Sequence, residues 1–428
     1  MVETAVILAG GEGNRLKPLT EEVPKALLKV AGRELLYRTI KQLQDVGVKN
    51  FVIVVNKKFE GKVKAFLKEH NFEAEVIPNE HPEKENGYSL YLAKGRIKGE
   101  FAVVMSDHIY EKAFLEKAVE GKGLIVDRLG LYINKNEATK VKCEEGRIKY
   151  IGKNLEKYDG FDTGFFVLDE SIFEVAEEAL KEQKKLTMSE LAKRAQIPCT
   201  EVSGYFWMDV DTPEDVEKAK KYLVKTAIKG VGDGFISRNL NRKVSTRISP
   251  YLVDKFTPNQ LTVLTFLLGM FSALVAYFSP ALGGILLQIN SMLDGLDGEV
   301  ARAQMRTTKF GAWLDSVLDR YVDFAFLSAL AMHLKPSWDF MPWVFAALFG
   351  SVMVSYSTER YKGAYCEDAY AVIKELRYLL GKRDERIFMI MIFTILGWIK
   401  ALFVVLAIIT NLRVILTIYL VWKKKGNV

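Results

Sequence analysis

Hydrophobic positions follow two different rhythms along this chain. Up to about residue 225, short apolar runs alternate with Lys/Glu-rich stretches of helical periodicity. Residues 4–9 read as a buried strand, 34–46 as a helix, 51–55 as a strand, 57–69 as a Lys-rich helix, and 74–77 and 101–105 as further strands. Strands alternating with helices predict an α/β unit with a mostly parallel sheet covered on both faces. Beyond residue 256 the rhythm changes to apolar spans near 260–278, 280–300, 311–333, 341–357, 387–398 and 400–421. These predict an all-α polytopic membrane unit of six transmembrane helices, although the fifth is short and the second carries carboxylates. The expected domains are therefore 1–225, a linker over 226–256, and 257–428. A helix over 216–225 closes the first, and the glycine-rich stretch 230–234 is the joint. Residues 235–253 interleave cations with apolar positions, as an amphipathic helix on a membrane surface does.

Charge sharpens this picture. A net charge of +7 would suit nucleic acid, but many of the cations flank apolar spans, so membrane orientation explains them and no nucleic-acid partner is expected. Arg302, Arg306, Lys309, Arg360, Lys362, Arg377, Lys382, Arg383 and Arg386 fall on one side of the spans with the Lys423, Lys424 and Lys425 tail, while the loops around Pro280 and Pro336 are nearly free of cations. By the positive-inside rule, both termini and the carboxylate-bearing ends of the second and third spans lie on the cytoplasmic side of a multi-pass cell-membrane protein. Cys143, Cys199 and Cys366 have neither metal-ligand spacing nor a disulfide framework; they read as packing residues in a reducing setting. Abundant Lys and Glu with sparse Gln point toward a thermophile.

The candidate chemistry of the apolar half is concentrated in 26 residues. Asp294, Asp297, Asp315 and Asp319 stand at helical spacings, with Gly298, Ala301, Arg302 and Gly311 between them. Read at 3.6 residues per turn, Asp294 and Asp297 share one helix face and Asp315 and Asp319 another. An ionisable group at membrane depth costs roughly 2.5–3.5 kcal/mol on insertion scales, so such a cluster marks a functional cavity. Four like charges need a neutraliser, and all-oxygen donors suit Mg2+, Mn2+ or Ca2+, of which Mg2+ or Mn2+ is expected in both sites. The arrangement D-x2-D-G-x2-A-R-x8-G-x3-D-x3-D resembles the signature of the CDP-alcohol phosphotransferase family over residues 230 to 425. That resemblance implies Asp294, Asp297, Asp315 and Asp319 as metal ligands, Asp319 as general base, and Gly298, Ala301 and Arg302 beside the nucleotide. It also implies a homodimer through the membrane domain. Lys309, Arg360, Lys362 and Arg386 are candidates to grip an anionic acceptor.

In the first half, strand 4–9 feeds Gly10, Gly11, Gly13 and Arg15, followed by Pro24-Lys25. Glycines after a strand let backbone N–H groups close on phosphate, and the two cations suit a triphosphate. The run resembles the nucleotidyltransferase signature over residues 3 to about 222, a Rossmann-like α/β fold. The resemblance implies that Gly10, Gly11, Gly13 and Arg15 hold the nucleotide phosphates and that Lys25 stabilises charge on the α-phosphoryl group. It gives base recognition to Gly87 and Ser89, and acceptor contact to Asp162. The metal falls to Asp107 at the end of strand 101–105, with Asp209 favoured over Asp211 as its second carboxylate. His108 is expected to satisfy a hydrogen bond rather than to ligate.

The two halves constrain each other: the first should make the CDP-alcohol that the second consumes. The whole chain is similar to a family of bifunctional enzymes of hyperthermophiles in which the alcohol is inositol. The likeness implies that CTP and inositol-1-phosphate give CDP-inositol. CDP-inositol and a second inositol-1-phosphate then give di-myo-inositol phosphate phosphate and CMP, a route to a compatible solute. Two other readings stay open: a membrane half that transfers to a lipid hydroxyl, and one that is only an anchor or transporter.

Overall fold

The computed structural model describes residues 2–11, 13–228 and 234–426. The chain forms two compact units, Met1–Lys221 and Tyr222–Val428. Apart from Gly234, the expected joint at 230–234 lies outside the described residues.

The first unit is built on a nine-stranded sheet. Strands β1 (Thr4–Ala9), β2 (Asn50–Asn56), β3 (Glu75–Asn79) and β4 (Phe101–Met105) run parallel in the order β4-β1-β2-β3. Ala5, Val6 and Ile7 are fully buried, as a strand covered on both faces requires. The short strand β5 (His108–Tyr110) follows β4 after a two-residue turn. Beyond β4 the sheet turns antiparallel through β6 (Gly123–Asp127), β7 (Lys140–Glu144), β8 (Arg147–Gly152) and β9 (Gly160–Leu168). Strand β10 (Cys199–Glu201) pairs with β6, and β11 (Trp207–Asp209) with β5. The sheet is thus parallel at its centre and antiparallel along one side, and helix Pro213–Thr226 follows it.

Cys143 on β7 and Cys199 on β10 are joined in a disulfide, which corrects their reading as packing residues. They stand 56 residues apart in sequence, and only the return of the chain at β10 brings their Cα atoms to 6.6 Å. Intracellular proteins of hyperthermophiles are the known exception to the scarcity of such bonds in reducing compartments.

The second unit is helical. Helix α1 (Arg242–Leu252) is followed by α2 (Pro258–Phe278), α3 (Pro280–Leu293), α4 (Leu296–Ala303), α5 (Lys309–Leu334), α6 (Met341–Tyr365), α7 (Arg383–Ile395) and α8 (Ile399–Lys425). Thr257 and Gln260 close α2 with reciprocal capping bonds, and Thr308 caps α5 through the Gly311 N–H at 2.9 Å. Among the described residues, α2, α6 and α8 are long and apolar enough to cross a membrane by themselves. Helix α7 has 13 residues, which rise only about 20 Å, and α5 carries its aspartates mid-helix. Leu264, Leu267, Phe271, Leu274 and Phe278 of α2 are exposed, an outward face that suits lipid. On its inner side the helices approach closely: a Cβ on Gly283 of α3 would lie 2.5 Å from the Cα of Ala276 on α2.

Two expectations change here. The second span is not one helix, because Asp294 and Gly295 form a turn between α3 and α4, so Asp294 lies in the turn and Asp297 on α4. The segment 235–253 is helical but turns a polar face inward. Asn241, Ser245 and Ser249, four residues apart, are buried against α3 and α4, while Phe235 and Tyr251 are exposed. The buried Glu299 explains it, since a carboxylate inside the unit needs hydroxyl and guanidinium donors more than apolar neighbours.

Candidate active sites

In the first unit, Lys25 is 7% exposed, and its Nζ donates to Asp107 Oδ2 at 2.6 Å and to Asp211 Oδ1. Arg15 pairs with the other oxygen of Asp211 and lies 3.8 Å from Glu137. Asp107 stands just past the C-terminal end of β4, where ligands of open α/β sheets bind. Its second oxygen is hydrogen-bonded at 2.7 Å to Nδ1 of His108, whose ring stacks on Trp207. Burial alone would lower the Lys25 pKa, but Asp107 and Asp211 more than reverse that and raise it. Burial likewise opposes ionisation of Asp107, yet Lys25 and His108 hold its carboxyl well below the usual carboxylate range. Asp162 and Asp209 are pushed upward by burial.

His108, Asp162, Trp207, Asp209 and Asp211 are among the residues that wall a cavity of about 560 Å³; Lys25, Arg15 and Asp107 are not among its lining residues. Gly13 adopts φ +63°, which favours glycine, and the chain turns there with Thr20 Oγ1 bonded to its carbonyl at 2.7 Å. Ser89 abuts the same loop: a Cβ on Gly10 would meet its Oγ at 3.5 Å. Its hydroxyl is already engaged by Asn79 Nδ2 at 3.0 Å. Gly87 packs against the backbone of Leu186 and Thr187, where a Cβ would come within 2.7 Å. Asp162 lines the cavity and accepts from the Gly164 N–H at 2.8 Å. Asp209, the last residue of β11, faces the cavity near His108, whereas Asp211, two residues further on, also lines it and contacts Lys25 and Arg15.

In the second unit, Asp294, Asp315 and Asp319 each present a carboxylate oxygen, all within 4.8 Å of one another. That spacing and donor set fit a divalent cation. Asp297 stands beside this group in α4 and accepts from Thr262 Oγ1 of α2 at 2.5 Å and from the Gly298 N–H. Arg383, at the start of α7, reaches across to Asp294 at 2.7 Å, Asp319 at 2.9 Å and Asp323 at 3.0 Å. Arg302 folds over Gly298, whose Cβ would meet its Nη1 at 3.2 Å, and donates to the Ala227 carbonyl. A cavity of about 280 Å³ opens beside Asp294 and Asp319, with Arg242, Lys382 and Arg383 among its lining residues.

The acceptor candidates are placed differently from one another. Lys309, Arg360 and Lys362 are exposed, and none of them lines this cavity. Arg386 is buried, bonded to the Ser351 carbonyl at 2.6 Å and to Asp323 at 3.3 Å, so it braces α7 against α6 and α5. Arg383 and Asp323 were not singled out from sequence. Asp323 continues the four-residue row after Asp319, which was a visible signal; Arg383 looked like one cation among several.

Residues 4–226 match the nucleotidyl transferase family and residues 255–419 the CDP-alcohol phosphatidyltransferase family. The chain is 52% identical to the bifunctional IPC transferase and DIPP synthase of Thermococcus kodakarensis, over 99% of this chain and 98% of that one. It is 47% identical to the protein of the same description from Archaeoglobus fulgidus, over 98% and 85%. Over 38% of its length it is 35% identical to the archaetidylinositol phosphate synthase of Pyrococcus horikoshii, 82% of which is covered. With two enzyme units and apolar helices in the second, the chain is a membrane-bound transferase and belongs to the family of bifunctional IPC transferases and DIPP synthases.

Proposed function

We propose that this chain performs two consecutive transfers: CTP and inositol-1-phosphate give CDP-inositol and pyrophosphate, and CDP-inositol with a second inositol-1-phosphate gives di-myo-inositol phosphate phosphate and CMP. The observation that carries the reading is the pairing, within one chain nearly coextensive with its Thermococcus relative, of a buried lysine held by two aspartates in the first unit and a carboxylate cluster in the second.

The first transfer needs no general base. The phosphomonoester of inositol-1-phosphate already carries an anionic oxygen, which attacks the α-phosphorus of CTP while the bond to pyrophosphate breaks. Backbone N–H groups of Gly10, Gly11 and Gly13 and the Arg15 side chain hold the nucleotide phosphates, and Lys25 meets the charge that builds on the α-phosphoryl oxygens. Lys25 is buried and kept charged by Asp107 and Asp211, so it enters the reaction as a cation. Asp162 contacts the inositol, and Gly87 and Ser89 lie toward the base.

The second transfer does need a base, because the attacking group is a hydroxyl. Asp319 takes its proton, the oxygen attacks the phosphorus that bears the inositol, and CMP leaves. Gly298, Ala301 and Arg302 border the nucleotide. The acceptor's phosphate is received by Lys382 and Arg383, which line the cavity beside Asp319, in place of the exposed Lys309, Arg360 and Lys362 and the buried Arg386. Mg2+ or Mn2+ would be held by Asp294, Asp297, Asp315 and Asp319 here and by Asp107 with Asp209 in the first site, and would supply positive charge to the phosphates.

The six helices α2, α3, α5, α6, α7 and α8 are read as six spans, with both termini and both sites served from the cytoplasm by the positive-inside rule. The outward apolar face meets lipid, and pairing of two chains through this unit follows the family likeness. The second reading, transfer to a lipid hydroxyl, is favoured by the likeness of the membrane half to the Pyrococcus protein. Phosphorus NMR of reconstituted protein given CTP, inositol-1-phosphate and Mg2+ decides between them. A water-soluble phosphodiester bearing a phosphomonoester, with CMP, is expected; CDP-inositol that accumulates until a lipid is added would overturn the soluble acceptor.

A further inference from the structure

Glu299 is fully buried and has no part in the two transfers described. It stands in α4 two residues after Asp297 and three before Arg302. Three donors from α1 converge on it. Ser245 Oγ gives 2.6 Å to Oε1, Ser249 Oγ gives 2.5 Å to Oε2, and Arg242 Nη1 gives 3.0 Å to Oε1. Asn241, one turn earlier on the same face, donates to Ser291 Oγ at 3.1 Å and accepts from Gln288 Nε2 at 3.3 Å. A buried carboxylate left without donors is strongly destabilising, so this polar clasp fixes α1 to the helix that carries Asp297.

The clasp also sets the place of Arg242. That side chain lines the 280 Å³ cavity together with Asp294, Asp319, Lys382 and Arg383. Gly295 makes room for it, since a Cβ there would lie 2.5 Å from Arg242 Nη1. A guanidinium carries five N–H donors in a rigid fork, so it can be oriented by a carboxylate on one edge and meet a phosphate on another.

We infer that Glu299 is a positioning residue and Arg242 a substrate-binding one: the clasp holds the Arg242 guanidinium at the cavity wall, where it takes a phosphate oxygen of a substrate of the second transfer. This rests on the two-step reading. Phosphate is common to the CDP diphosphate and to the monoester of the acceptor, and the experiment separates the two sources.

The full chain, reconstituted, is given CDP-inositol and inositol-1-phosphate, and CMP release is followed with each substrate varied in turn. Arg242→Ala and Glu299→Gln are each expected to raise the KM of the same substrate about tenfold or more, with kcat changing less than about threefold. The double variant should be no worse than Arg242→Ala, because both changes act through one group. A rise for CDP-inositol assigns Arg242 to the donor diphosphate, and a rise for inositol-1-phosphate assigns it to the acceptor. Unchanged KM values in Arg242→Ala, or a Glu299→Gln variant that loses only kcat and thermal stability, would overturn the inference. If Glu299→Gln does not fold, Arg242→Lys decides: it keeps the charge and loses the fork, so a raised KM supports the inference and an unchanged one overturns it. A wild-type chain that releases no CMP from this pair overturns the two-step reading itself, which is a distinct result.

Discussion

The two sites handle buried charge in opposite ways. In the first, a single buried cation, Lys25, is shared by Asp107 and Asp211, which come from separate strand ends. In the second, carboxylates dominate: Asp315, Asp319 and Asp323 follow one another at four-residue steps along α5, and Arg383 spans Asp294, Asp319 and Asp323. The sheet assembles its charges from loops at the C-terminal edges of strands, so each partner can be placed separately. A helix bundle meant for lipid must place charges at fixed helical steps and neutralise them inside the protein. The difference also matches the two chemistries proposed, one whose nucleophile arrives ionised and one that must remove a proton.

That contrast can be broken most directly at Asp319. Asp319→Asn should slow the second transfer by about 10²–10⁴-fold while CDP-inositol accumulates, read by phosphorus NMR. An unchanged rate of CMP release would remove the need for a base and with it the distinction between the sites. The reciprocal change, Lys25→Ala, should slow pyrophosphate release by about 10²–10³-fold and leave added CDP-inositol convertible at the wild-type rate. Loss of both activities in that variant would mean that the sites are not independent.

Smaller effects sharpen the first site. Asp211→Asn should cost the first transfer more than Asp209→Asn does, by about tenfold, because Asp211 touches both Lys25 and Arg15. Equal losses, measured as kcat/KM for CTP, would return the two aspartates to parity. Last, Cys199→Ser should leave both rates at 25 °C within about twofold while destabilising the first unit by about 2–5 kcal/mol, seen as a lower melting temperature. A melting temperature that does not move would show that the cross-link contributes little.

Much of this was legible in the sequence because local chemistry and spacing carry it. The run at 4–9 is strand β1 to the residue, and 101–105 is β4. Asp294, Asp315 and Asp319 do converge. Other features depended on distant segments. The sequence favours Asp209 over Asp211 as a metal carboxylate, and it does not show that Lys25, nearly two hundred residues earlier, contacts Asp211. Arg383 and Arg386 look alike on paper, yet one faces the carboxylates and a cavity while the other is committed to Asp323 and the Ser351 carbonyl.

By itself, then, the sequence determined the two-part plan, the apolar character of the second unit, the glycine loop and the row of carboxylates, since backbone periodicity and residue chemistry are local properties. Tertiary structure alone decided the break at Asp294 and Gly295, the Cys143–Cys199 bond, the polar inward face of α1 and the contact of Arg383 with Asp294, Asp319 and Asp323. Each of those turns on which buried charge or hydrogen-bonding group meets which partner across the fold, and pairing across space leaves no periodicity along the chain.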